Sequence, residues 1–179
     1  MPHDALPDYA ELHCVSNFSF LRGASHPEEL VERAARLGYQ ALALTDECSL
    51  AGVVRAHVAA KAYGIDLIIG TEITIDGLDF ILVLLVANET GYANLCELIA
   101  RARRQATKGE YLLHETDLEH GVEGCLILLL PREGACYSTL LSQACWLAER
   151  FPDKTWLAVE LLFGPADESR LQALTPIWR

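Results

Sequence analysis

The sequence predicts an α/β fold built on a mostly parallel sheet. Over Leu12–Glu72 apolar runs alternate with segments of helical spacing, in the order strand–helix–strand–helix–strand. Three of the runs end on ionisable residues: Tyr9–Leu12 on His13, Ala41–Leu44 on Asp46 and Glu47, and Leu67–Ile69 on Glu72. Several runs, including Phe80–Ala87 and Cys125–Leu130, are continuous rather than alternating, as in strands covered on both faces. In a βα barrel the strand C-termini converge on one face, where sites are built. His13, Asp46, Glu47 and Glu72 are therefore expected to share such a face.

Each element has a local reason. Ser25-His26-Pro27-Glu28 reads as a capping box, with Ser25 as cap, Pro27 in the first turn and Glu28 reaching back. The helix it opens should run to about Leu37 and stop at Gly38. A second helix spans roughly Ala51 to Tyr63 and stops at Gly64. Ile65–Thr74 and Leu78–Ala87 are strands joined at Asp76-Gly77, a favoured hairpin dipeptide, and this is the expected antiparallel pair. Asn88 caps a helix to about Arg104, and Lys108–Gly121 is polar loop with a short helix. A strand at Cys125–Leu130, a helix at Ala135–Glu149 and a strand at Thr155–Leu161 follow. Phe163-Gly164-Pro165 breaks the chain before a last helix over Asp167–Leu174. That makes six strands, fewer than a closed barrel needs, so the sequence reads as the front part of a longer chain.

Composition narrows the function. The chain has 179 residues, enough for one domain, and is 51% hydrophobic. With 14 basic and 25 acidic residues its net charge is −11, which repels a phosphate backbone and argues against a stand-alone DNA binder. The local exception is Arg101, Arg103, Arg104 and Lys108, at a helix C-terminus where cations suit the dipole. No apolar run reaches the roughly 18 residues of a membrane span. The opening MPHDALPDYAELH lacks the features of a signal peptide, so a cytoplasmic location is expected. The cysteines, at 14, 48, 96, 125, 136 and 145, show no CxxC spacing and are expected as free thiols. Cys14 and Cys48 each neighbour a candidate ligand, although a small packed side chain is the commoner role.

An imidazole with carboxylates, here His13, Asp46, Glu47 and Glu72, suits Zn²⁺, Mn²⁺ or Fe²⁺ used to activate water. The plainer alternative has Asp46 capping the following helix and His13 satisfied near the surface. His57 falls within a helix, His114 and His120 in the polar connection, and His3 and His26 near a terminus and a cap. None follows a strand to complete a centre. Without a metal, Asp46 and Glu47 need a donor, and His13 and Arg22 are the expected ones.

The segment Leu12–Glu72 resembles the start of a polymerase-and-histidinol-phosphatase (PHP) domain. The residues that carry the likeness are Leu12-His13-Cys14-Val15-Ser16 with Ser19-Phe20-Leu21-Arg22-Gly23-Ala24, then Leu44-Thr45-Asp46-Glu47, Gly70-Thr71-Glu72 and the stretch Leu82–Asn94. The wording SNFSFLRGASHPEELV and TDECSLAGVVRAH is similar to the error-prone members of the bacterial C-family DNA polymerases. The resemblance covers most of residues 9–161. It implies a PHP-type distorted βα barrel, TIM-like and incomplete within 1–179, with the polymerase palm, fingers and thumb absent from this chain.

The departures from the family pattern matter as much. The second histidine of the opening HxH is Val15, the histidine after the aspartate is Glu47, and a histidine of the strand after Gly77 is Ile81. A further ligand position falls near Pro131, and the last aspartate–histidine pair would lie beyond Arg179. Of the family ligands His13, Asp46 and Glu72 survive, with Glu47 as a substitute, and the site is expected to be vestigial and empty. The resemblance implies that the parent protein performs error-prone, damage-induced DNA synthesis with Mg²⁺ on palm aspartates, and that this domain is structural and holds no cofactor. Its implied partners are the rest of the polymerase chain and mutagenesis proteins, with DNA met through the parent rather than through this acidic domain. Self-association of the fragment is also expected. The alternatives are a metal-dependent phosphoesterase or 3′–5′ exonuclease, and a free-standing binding or regulatory module.

Overall fold

The computed structural model describes residues 8–132, 134–161, 163–165 and 167–175. His3 lies outside them. The chain divides into two compact units, Met1–Thr71 and Glu72–Arg179.

The first unit is built from β1 (Ala10–Cys14), α1 (Pro27–Arg36), β2 (Ala41–Leu44), α2 (Val53–Tyr63) and β3 (Asp66–Thr74), the last of which carries the chain into the second unit. β2 runs parallel to both β1 and β3, with Ala41–Leu44 in register against Asp66–Ile69. The two helices cover the sheet through small and branched side chains. Val31 and Ala34 from α1 and Val53, Ala56, Ala59 and Ala60 from α2 are buried with Leu42, Leu44 and Ile65. Alanines on α2 let its backbone lie close to its neighbours, so the packing depends on shape more than on bulk. Gly64 ends α2 in the left-handed conformation at φ +70°, as its place in the sequence predicts.

The cap of α1 sits one residue later than the sequence suggests. His26 is the N-cap and its N–H donates to Glu29 Oε2 at 2.7 Å, while Pro27 takes the first helical position. Glu28 is thereby released to pair with Arg55 of α2, which ties the two helices together. The proline decides the register, because its missing N–H is tolerated at the first helical position.

The second unit contains β4 (Phe80–Val86), α3 (Glu89–Arg104), a 3-10 turn (Glu115–His120), β5 (Cys125–Pro131), α4 (Tyr137–Arg150), β6 (Thr155–Leu157) and α5 (Asp167–Leu174). Asn88 caps α3 through Oδ1, which accepts from Gly91 N–H at 3.0 Å. β4 and β5 form an antiparallel ladder from Phe80–Pro131 to Val86–Cys125, and β6 joins β5 in parallel. The sequence places its antiparallel pair at Asp76-Gly77 and does not contain the β4–β5 ladder. A continuous apolar run reports burial on both faces, which β4 has, and is silent on strand direction. Gly77, at φ +83°, does form a turn closed by Leu78 N–H on Ile75 C=O at 3.2 Å. The last strand is shorter than the predicted Thr155–Leu161: pairing stops after Ala158 N–H reaches Leu129 C=O at 2.8 Å. Gly91 and Gly124 pack backbone on backbone, so that a Cβ on Gly91 would lie 2.0 Å from Gly124 O.

Candidate functional site

The sequence-predicted residues fall at the strand ends in the first unit, and the second unit begins with one of them. His13 is the fourth residue of β1, and Asp46 and Glu47 follow β2 after Thr45. Glu72 is buried on β3, three residues past Ile69, the last residue in register with β2, and belongs to the second unit. His13 is half-buried, and its N–H donates to Glu11 Oε1 at 3.2 Å.

Asp46 is the centre of the first unit's site. It is only 1% exposed, and a buried carboxylate must be compensated by hydrogen bonds or a counter-charge. Its Oδ1 accepts from Ser16 N–H at 2.7 Å and from Ser19 Oγ at 2.7 Å, and its Oδ2 accepts from Ser16 Oγ at 2.8 Å. Both serines are buried. Ser19 Oγ also accepts Glu47 N–H at 2.9 Å, so one hydroxyl joins the loop after β1 to the loop after β2. Thr45 stitches the same strands: its Oγ1 accepts Cys14 N–H at 3.0 Å and donates to Cys14 C=O at 3.1 Å. Thr71, at the end of the unit, donates from Oγ1 to Asp46 C=O at 2.6 Å and accepts Ser49 N–H at 3.2 Å. Asp46 does not cap α2, whose N-cap is Gly52.

The loop that delivers the two serines is folded on itself. Asn17 N–H reaches Ser25 C=O at 2.9 Å, and Ser19 N–H reaches Ser16 C=O at 3.0 Å. Gly23 lies so close that a Cβ there would stand 1.9 Å from Ser16 O. Leu21 occupies the left-handed region at φ +61°, where a branched side chain is strained. The expected ion pair is made by Arg22, whose Nη1 lies 3.4 Å from Glu47 Oε2, with both side chains more than a third exposed.

The roles of Ser16 and Ser19 are absent from the sequence reading, although both are quoted in its motif. The signal was available: a carboxylate between two apolar strands must be hydrogen-bonded, and Ser16 and Ser19 are hydroxyls in the loop leaving the neighbouring strand.

The residues present do not fit the metal centre that the fold family implies. Both oxygens of Asp46 already accept short hydrogen bonds. Val15 and Ile81 offer no donor atom. Burial, with the Glu11 and Asp46 carboxylates adding to it, pushes the Cys14 thiol up to about 11. Among the described residues no three His, Cys, Asp or Glu side chains are grouped to hold an ion.

The chain is 55% identical over 176 residues to an error-prone DNA polymerase of Dechloromonas aromatica, covering 95% of this chain and 17% of that one. It is 54% identical over 166 residues to an error-prone DNA polymerase of Pseudomonas aeruginosa, covering 93% and 16%. The chain thus spans about one sixth of the length of these curated relatives. Among solved structures it is similar to a Bifidobacterium adolescentis protein assigned provisionally as a metal-dependent phosphoesterase, with TM-score 0.64, 16% identity, and coverage of 96% of this chain and 85% of that one. It is also similar to an amidohydrolase from Chromobacterium violaceum, with TM-score 0.59, 17% identity, and coverage of 82% and 75%. At such identities the likeness shows the fold, and it is the PHP-type α/β fold that the sequence predicts. A family model of the PHP domain matches residues 11–162, most of the sequence, and the chain belongs to the PHP domain family.

Proposed function

We propose that this chain is the N-terminal PHP domain of an error-prone DNA-directed DNA polymerase, and that the domain is a structural element whose metal centre has been lost. The carrying observation is the identity of 55% across 95% of the chain with a polymerase about six times its length. The site supports the structural half of the reading, because Asp46, the one deeply buried carboxylate among the described residues of the first unit, accepts internal hydrogen bonds at both oxygens. In this reading templated nucleotidyl transfer, with Mg²⁺ on palm aspartates, belongs to the remainder of the parent chain. Damage-induced mutagenesis, repair synthesis and a cytoplasmic location go with that parent. DNA is met there too, since a net charge of −11 opposes phosphate binding by this domain. No helix among the described residues is long and apolar enough to cross a membrane.

The test is the reading frame downstream of the Arg179 codon. Continuation into a polymerase core with palm aspartates is the expected result. A stop codon there would replace the proposal with a free-standing module.

A further inference from the structure

We infer that Asp46, a metal-ligand position in the family, serves in this chain as the anchor that locks the loop after β1, with Ser16 and Ser19 as its positioning residues. The inference rests on the structural, metal-free reading above and says what the surviving carboxylate does instead. A metal ion in such a site would join strand ends by bridging their ligands. Here a hydrogen-bonded hub joins them. The Asp46 carboxylate takes Ser16 N–H, Ser16 Oγ and Ser19 Oγ from the loop after β1, and its own carbonyl takes Thr71 Oγ1 from β3. Ser19 passes the connection on to Glu47 N–H. Every side chain in the hub is at most 2% exposed, so none of these bonds competes with bulk water. A divalent ion approaching the Asp46 oxygens would have to displace buried donors, leaving them unpaired.

The lock has a visible consequence in the loop it holds. Phe20 and Leu21 are 84% and 89% exposed, and Leu21 keeps a strained backbone that only a rigid frame maintains. These are good chymotrypsin sites in sequence, and the anchor should protect them by denying the protease an extended segment.

The test compares Ser16→Ala, Ser19→Ala, Asp46→Asn and Asp46→Ala with the wild-type 179-residue chain, with EDTA and with added Mn²⁺ or Zn²⁺. Three readouts are taken: urea unfolding, hydrogen exchange at the Ser16, Ser19 and Glu47 amides, and chymotryptic cleavage at Phe20. Each serine variant should raise the unfolding constant roughly ten-fold, as loss of one charge-assisted bond does. Loop exchange and cleavage at Phe20 should quicken, with no dependence on metal or chelator. Asp46→Asn should be milder than Asp46→Ala, because an amide oxygen still accepts from the loop. Serine variants that fold as the wild type does, with unchanged exchange and cleavage, would overturn the anchor while leaving the metal-free reading intact. Stoichiometric Mn²⁺ or Zn²⁺ uptake by the wild type, with protection at Phe20 that appears only with metal, would overturn the metal-free reading itself.

Discussion

Substituting Gly23 with alanine is the sharpest single perturbation of the first unit. The backbone of Gly23 is not in the left-handed region, so its absence of a side chain is a matter of space. An alanine Cβ would stand 1.9 Å from Ser16 O and 2.2 Å from Ser16 C, both backbone atoms with no rotamer to give. Opening that gap to ordinary contact needs a shift of about 1.5 Å, and a strained insertion against packed atoms costs about 1–3 kcal/mol. The same peptide carries Ser16, whose N–H and Oγ hold Asp46 at 2.7 and 2.8 Å. A shift of that size breaks at least one of these bonds, worth about 1.5–3 kcal/mol each because the acceptor is charged. The sum is about 2.5–6 kcal/mol, a large share of the 5–15 kcal/mol typical of a whole domain. Gly38→Ala supplies the comparison: it sits at φ +78° with nothing within 4 Å of the new Cβ, so only backbone strain of about 1–2 kcal/mol applies. Urea unfolding of both variants is the assay. A Gly23→Ala chain within 1 kcal/mol of wild type, or more stable than Gly38→Ala, would refute the close approach of the loop and the coupling to Asp46 (roughly 1 kcal/mol being the resolution of such comparisons).

Four further outcomes are expected. Iodoacetamide should modify exposed Cys136 first, since hydrogen bonds from Ser138 and Thr139 lower its thiol to about 7, and Cys14 and Cys125 last, since burial raises both to about 11. Those two raised thiols give stability that is whole below the ordinary value of 9.0 and lost as pH climbs through about 11, so urea midpoints should fall between those limits. Arg22→Ala should cost less than about 1 kcal/mol, because its pairing with Glu47 is solvent-exposed, and a larger loss in urea unfolding would assign Arg22 a part in the buried network. The chain should self-associate more at high salt: Trp156 and Phe163 are exposed in the last segment, β6 stands at the end of the strand order, and salt screens the repulsion of a net charge of −11. Sedimentation showing a monomer at both low and high ionic strength would count against this.

Much of the fold was legible because apolar periodicity and punctuation agree. Gly64, Asn88 and the Gly77 turn act where their chemistry says they should. Misreadings arose where several local rules compete. Ser25 and His26 both precede Pro27, and the proline's preference for the first helical position outweighed the better capping side chain. Pairing direction in β4 and β5 was not legible, since burial on both faces produces the same apolar run in either direction. At the site, the ligand positions could be read one residue at a time, including the aliphatic replacements Val15 and Ile81. The donors at Asp46 could not be read that way, because Ser16 and Ser19 matter only once the loop folds back over β2.

The central claim is that this PHP domain carries a structural carboxylate in place of a catalytic metal centre. It is tested most directly by elemental analysis of the purified chain after dialysis against Mn²⁺ and Zn²⁺, followed by buffer, with phosphoester hydrolysis measured on the same sample. The account predicts metal well below one ion per chain and no hydrolysis above the buffer rate. One or more ions per chain, with hydrolysis that disappears in His13→Ala, would contradict it.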